Sequence, residues 1–192
     1  MRFVSSTNEA WVTEPGAERI ETFSIPPHGT LAPAHSRFIP VLVGPESLVI
    51  GQGRAFTHLW HGTTVAIDLR NNSIVGRWRN GCTSSRGIAL DEKRGFIFAG
   101  CDEGKLTVLD TKSGKIVGHA SVGTGVDVIG YNQNLADVYL PGADSGTIAV
   151  VGVSTTGAAR ALKTTATVEG AHCVTADDRD QVHVCDPTPP IS

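Results

Sequence analysis

Five polar residues stand at nearly equal intervals along the chain, each just ahead of a short apolar run: Arg2, Glu46, Arg86, Asp127 and His172. Successive members lie 40 to 45 residues apart. Guanidinium, carboxylate and imidazole groups gathered in one place suit an anionic or zwitterionic small ligand. His172 beside Asp127 would add an acid/base pair. The same residue types also occur as solvated, mutually paired groups lining a wet channel, so both readings stand. A metal needs a denser cluster of His or carboxylate ligands, and neither a metal nor a cofactor is expected. The run His58-Leu59-Trp60-His61 looks like a ligand pair. A spacing of three on one strand sends the two rings to opposite faces, so these are read as surface-loop histidines. Trp11, Trp60 and Trp78 are read as packing residues rather than a substrate platform. The chain has no GxSxG elbow, no Ser–His–Asp order and no metal motif, so no catalytic residue is assigned.

The elements that would position the five residues repeat with the same period. Phe23, Ile67, Leu109 and Val151 each close a β-rich run and recur every 42 to 44 residues. Between the two ladders lie turn signals such as Gly51-Gln52-Gly53, Asn132-Gln133-Asn134 and Asp177-Asp178-Arg179-Asp180. Each leads into a second strand, for example Phe56-Thr57-His58-Leu59-Trp60 or Phe96-Ile97-Phe98-Ala99. Four short antiparallel strands per period predict an all-β fold, a β-propeller of four-stranded blades. The expected blades are approximately 1–43, 44–83, 84–124 and 125–170, followed by half a blade over 171–192. In that architecture the first strand of each blade lines the central channel, which is what would make a ring of the five residues.

Four cysteines occur, none in a CxxC spacing, which excludes a zinc ribbon or a thioredoxin-like dithiol. Cys173 and Cys185 fall opposite each other across the last hairpin, within disulfide reach. Cys82 and Cys101 flank the equivalent hairpin of the third blade with an offset register and make a less favoured pair. Four buried thiols in a reducing compartment remain the alternative.

Composition narrows the class further. The 192 residues are 40% hydrophobic and 18% charged, too apolar for a disordered chain, and 22 glycines fit a turn-rich fold. A net charge of −3 with scattered Arg77, Arg79, Lys93 and Arg94 makes nucleic acid an unlikely partner. No apolar run is long enough to span a bilayer, and Met1-Arg2-Phe3-Val4-Ser5-Ser6 lacks the apolar stretch of a secretory leader.

The runs Gly81-Cys82-Thr83-Ser84-Ser85-Arg86-Gly87-Ile88-Ala89-Leu90-Asp91, Lys105-Leu106-Thr107-Val108-Leu109-Asp110 and Gly114-Lys115-Ile116-Val117 resemble the YVTN-repeat, or YncE-like, bacterial β-propellers. The resemblance implies a seven-bladed propeller exported to the periplasm and acting in binding rather than catalysis. Taken alone, the start of the chain would instead place it in the cytoplasm. The expected function is accordingly a non-enzymatic scaffold holding a protein partner or small ligand at the channel or a blade face. The alternative is a subunit of, or accessory to, a quinoprotein-like dehydrogenase or another channel-based enzyme. About four and a half blades cannot close a ring. The expectation is therefore an amino-terminal truncation or, less favoured, a homo-oligomer that closes the arc.

Overall fold

Short runs of β-branched and aromatic residues, each ended by a turn, leave every strand little choice but its sequence neighbour. The computed structural model of the chain describes residues 1–26, 32–177 and 179–187. Residues 188–192 of the expected half blade lie outside them. The first sheet comprises β1 (Arg2–Val4), β2 (Glu9–Glu14), β3 (Arg19–Ser24) and β4 (Ala34–Pro40). The second holds β5 (Pro45–Gly51), β6 (Arg54–Leu59), β7 (Thr63–Asp68) and β8 (Ile74–Arg79). The third holds β9 (Ser85–Asp91), β10 (Phe96–Cys101), β11 (Lys105–Asp110) and β12 (Ile116–Ser121). The fourth holds β13 (Gly130–Asn132), β14 (Asp137–Gly142), β15 (Thr147–Val153) and β16 (Ala159–Ala166). A two-stranded sheet of β17 (Val174–Ala176) and β18 (Val182–Val184) follows. Every pairing is antiparallel and joins consecutive strands. Apart from a 3-10 turn at Pro15–Ala17, the described residues contain no helix.

Turn chemistry sets these registers. Between β5 and β6 the Gly51↔Arg54 pair leaves a two-residue loop, Gln52 at φ 54° and Gly53 at φ 70°. Positive φ at both positions matches the twist of the flanking strands. Elsewhere an Asp or Asn ends the inner strand and accepts backbone N–H groups of its own turn. Asp91 takes Arg94 N at 2.9 Å, Asn132 takes Asn134 N at 2.8 Å, and Asp177 takes Arg179 N at 2.9 Å.

The repeat is visible in the pairing itself. In each four-stranded sheet the ladder to the outermost strand shifts at one position, between Thr22/Phe23, Ala66/Ile67, Val108/Leu109 and Val150/Val151. One extra residue bends the outer strand at the same height in all four sheets. The core lies between successive sheets. Trp11 and Ile20 pack on Ala55 and Ile67; Phe56 and Val49 on Ile97 and Leu109; Phe98 and Leu106 on Val138 and Val151. Each interface thus sets the aromatic of one second strand against aliphatic side chains of the next sheet. The architecture is that of a β-propeller-type fold.

Candidate functional site

Where the first strands of the sheets begin, the second, third and fourth sheets and the two-stranded sheet come close at one end. A cavity of about 420 Å³ there is lined by Glu46, Arg86, Asp102, Asp127, Asp144 and His172, together with Gly125, Val126, Ala143 and Gly170. Glu46 and Arg86 form an ion pair at 4.0 Å, and both side chains are partly exposed. Trp60 Nε1–H donates to the Glu46 carboxylate, and Arg86 lies 6.0 Å over the Trp60 ring. Trp60 therefore departs from the expectation that all three tryptophans serve packing between sheets. Trp11 is fully buried and Trp78 packs on the core, but Trp60 steadies a charged pair at the cavity.

His172 has a fixed tautomer. Its Nδ1 lies 2.8 Å from the Gly170 carbonyl oxygen, which only accepts, so Nδ1 carries the proton and the Nε2 lone pair is free to take one. Its own carbonyl accepts Val128 N–H at 3.1 Å, tying the His172 segment to the residue after Asp127. Gly125, at φ 80°, is required here because a Cβ would meet Asp144 N at 2.5 Å. Its N–H donates to Asp102 O at 2.8 Å, so one glycine seats two of the carboxylate residues. Beside them, Glu103 accepts Thr83 N at 2.7 Å and Ser84 N at 3.2 Å. Burial would raise its pKa, but these N–H groups hold it below the ordinary range and anchor the loop leading to Arg86.

Arg2 does not join the group. It pairs with Trp11, as Val49 pairs with Phe56, Ala89 with Phe98 and Gly130 with Tyr139. Its register is therefore three residues beyond that of Glu46, Arg86 and Asp127, and its Nε donates to Leu48 O at 3.0 Å. Matching a polar residue before an apolar run missed this offset; the position of the aromatic partner on the second strand gives it away.

The histidine reading also needs correction. His58 is not on the surface: it is fully buried, and a turn after Leu59 separates it from the exposed His61. The Phe98 carbonyl lies 3.4 Å from His58 Nε2 and Thr64 Oγ1 lies 2.9 Å from Nδ1. Nε2 is thus the donor and Nδ1 accepts from the hydroxyl. Asn80 continues the network to Thr64 at 3.3 Å and Ser85 at 2.8 Å, and it accepts Cys82 N–H at 3.1 Å. Burial lowers the His58 pKa to about 4, keeping the ring neutral.

A second cluster, missed in the sequence, joins the third and fourth sheets. Tyr131 OH donates to Asp91 at 2.6 Å and accepts from Arg94 at 2.9 Å, while Arg94 also pairs with Asp91 and reaches Val153 O at 2.7 Å. Burial raises the Tyr131 pKa, and the Asp91 carboxylate adds to the rise. Disulfides join Cys82 to Cys101 and Cys173 to Cys185, with Cα separations of 5.2 and 5.5 Å. Among the described residues no group of three or more His, Cys, Asp or Glu is placed to hold a metal ion. No helix among the described residues is long and apolar enough to cross a membrane.

The polar cavity thus lies at one end of an arc of antiparallel sheets. No family model matches the chain. Among curated proteins it is similar to outer membrane protein assembly factor BamB of Taylorella asinigenitalis (strain MCE3), 31% identical over 100 residues. The match covers 50% of this chain and 26% of that protein. Among solved structures it is similar to candidate 6-phosphogluconolactonases of Bacteroides uniformis and Bacteroides fragilis, at 16% and 14% identity. Both superpose with a TM-score of 0.77 over 96% of this chain and 56% of theirs. The chain thus spans about a quarter of the curated relative and just over half of each structural neighbour. The likeness to the solved structures establishes the fold. It also overturns the expectation of a non-enzymatic scaffold, because the neighbours on this fold carry the name of an enzyme.

Proposed function

We propose that the cavity lined by Glu46, Arg86, Asp127 and His172 is the site of a hydrolase acting on a small, uncharged, hydroxyl-rich lactone. The observation that carries this reading is His172: its tautomer leaves Nε2 as a base in a cavity that also holds one guanidinium. Water held at Nε2 attacks the ester carbonyl while its proton passes to the imidazole. Arg86 stabilises the charge that gathers on the carbonyl oxygen. The ring C–O bond then breaks, and the leaving alkoxide takes the proton back from Nε2, giving the open hydroxy acid. Asp102, Asp127 and Asp144 accept hydrogen bonds from substrate hydroxyls.

The charge balance selects among lactones. Four carboxylates against one guanidinium repel a phosphate group, so the phosphorylated sugar lactone named for the structural neighbours suits this cavity less well than the unphosphorylated one. The test is pH-stat hydrolysis of gluconolactone with the purified chain, corrected for the uncatalysed rate. His172→Ala should lower the catalysed rate by roughly 10²–10³-fold and Arg86→Ala by a comparable factor. A wild-type chain that leaves the uncatalysed rate unchanged would overturn the reading.

We further infer residence in an oxidising compartment such as the periplasm, supported by two disulfides and by the resemblance to exported YVTN-type propellers. The intact mass of chain made in the periplasm, measured without reductant, checks this. The expected value is four hydrogens below that of the fully reduced chain.

A further inference from the structure

The outermost strand of the second sheet, β8, carries Arg77 and Arg79 two residues apart. Both side chains therefore leave the same face, about 7 Å apart along the strand. That face is turned toward the first sheet: Arg77 pairs with Val65, which packs with Trp11 and Ile20 between the two sheets. Arg79 stands in one row with Thr63 and Leu59 across β8, β7 and β6. With His61 and Val43 these residues line a cavity of about 400 Å³, and none of the residues lining it is acidic. It shares no lining residue with the carboxylate-rich cavity. Trp60 links the two, since its neighbours Leu59 and His61 line this one and its Nε1–H donates to Glu46 in the other.

The fold does not call for the arginine pair. At the equivalent positions the first sheet has Phe38 and Pro40, the third His119 and Ser121, and the fourth Thr164 and Ala166. Other cations at this end of the sheets are neutralised: Arg19 by Glu14 at 2.5 Å, Lys105 by Glu103 at 3.4 Å, Arg86 by Glu46 at 4.0 Å. Arg77 and Arg79 have no hydrogen-bond or ion-pair partner among the described residues. Two like charges on one face repel each other, and a bound anion reverses that cost. The rim is strained as well. Val43 holds φ 75°, rare for a β-branched residue, yet its side chain is 46% exposed and so is not held there by packing. The Glu18 carboxylate accepts Val43 N–H at 3.1 Å and does not line the cavity.

We propose that this cavity binds the phosphate group of a small ligand. Arg77 and Arg79 donate to the phosphate oxygens, and His61 and Thr63 each supply one further donor. Leu59 and Val43 give the carbon skeleton an apolar wall. The experiment is isothermal titration calorimetry of the full chain with glycerol phosphate and with inorganic phosphate, in about 0.15 M salt to screen diffuse attraction. Wild type should bind at least one probe saturably. Arg77→Gln and Arg79→Gln alter exposed side chains, so each should keep the thermal midpoint while weakening binding roughly tenfold. Arg86→Ala, in the other cavity, should bind as wild type does. Tighter binding of glycerol phosphate assigns an organic monoester as the ligand; equal binding assigns the free anion. No saturable binding of either probe, or an equal loss in Arg86→Ala, would overturn the proposal. Neither probe is a lactone, so failure here is distinct from failure of the hydrolase reading.

Discussion

His58 shows how one buried ring couples stability to pH. Burial lowers its pKa from 6.5 to about 4, so the folded state resists a proton that the unfolded chain accepts. The resulting stability is present in full above pH 6.5 and is lost as pH falls toward 4. Its size is on the order of 3 kcal/mol for a shift of this extent. Urea unfolding at pH 7 and pH 4.5 should show this loss in wild type and a clearly smaller one in His58→Gln. An unchanged difference would remove His58 as its cause. Asp91 acts in the same direction: burial would raise its pKa, but the bonds from Tyr131 and Arg94 hold it below the ordinary value, so its contribution also fades in acid. Tyr131→Phe removes one donor to that carboxylate and one acceptor for Arg94. It should cost about 2 kcal/mol in urea unfolding at neutral pH, as expected for bonds to charged groups.

Among the elements, the loop from Asn80 to Arg86 carries the most consequence. It is held by the Cys82–Cys101 disulfide, by Asn80 and by the Glu103 carboxylate, and it delivers Arg86 to the cavity. Replacing Cys82 and Cys101 by serine should cost about 3 kcal/mol, by the chain-entropy estimate for a short closed loop. Gluconolactone hydrolysis should fall with it if loop order positions Arg86. The strands were legible in the sequence because their determinants are local. Alternating apolar residues and the Asn, Asp and Gly turns define each hairpin, and Phe23, Ile67, Leu109 and Val151 mark one repeated bulge. Convergence of Glu46, Arg86, Asp127 and His172 on one cavity followed from the same period. What failed was register and depth. Arg2 precedes an apolar run just as Arg86 does, and only its pairing with Trp11 shows the three-residue offset. Burial of His58 depends on Phe98, forty residues away, and the Asp91–Arg94–Tyr131 cluster joins two sheets, so no local pattern announces either. Asp102 and Asp144 reach the cavity from turns between the second and third strands, outside both sequence ladders.

At the scale of the whole molecule, stability is unevenly distributed along the arc. The middle sheets are packed on both faces, whereas the β17–β18 pair has two strands of three residues each. Isolated hairpins are marginal in water, so the Cys173–Cys185 disulfide and the packing on the fourth sheet must hold this one. Hydrogen exchange should be slowest in β10 and β11 and fastest in β17 and β18, and reduction should speed exchange in the last pair most. Equal protection along the arc would mean that the sheets open as one unit. The neighbour-to-neighbour strand order has a further consequence for biosynthesis. Each four-stranded sheet is finished by residues that leave the ribosome, or a translocation pore, within one continuous stretch of synthesis. A sheet can therefore form as soon as it emerges, yet the side bearing Trp11, Phe56 or Phe98 stays uncovered until the next stretch arrives. The nascent chain always carries one sticky face at its growing end, and a chaperone that shields it for the time of a single repeat would be enough to guide assembly.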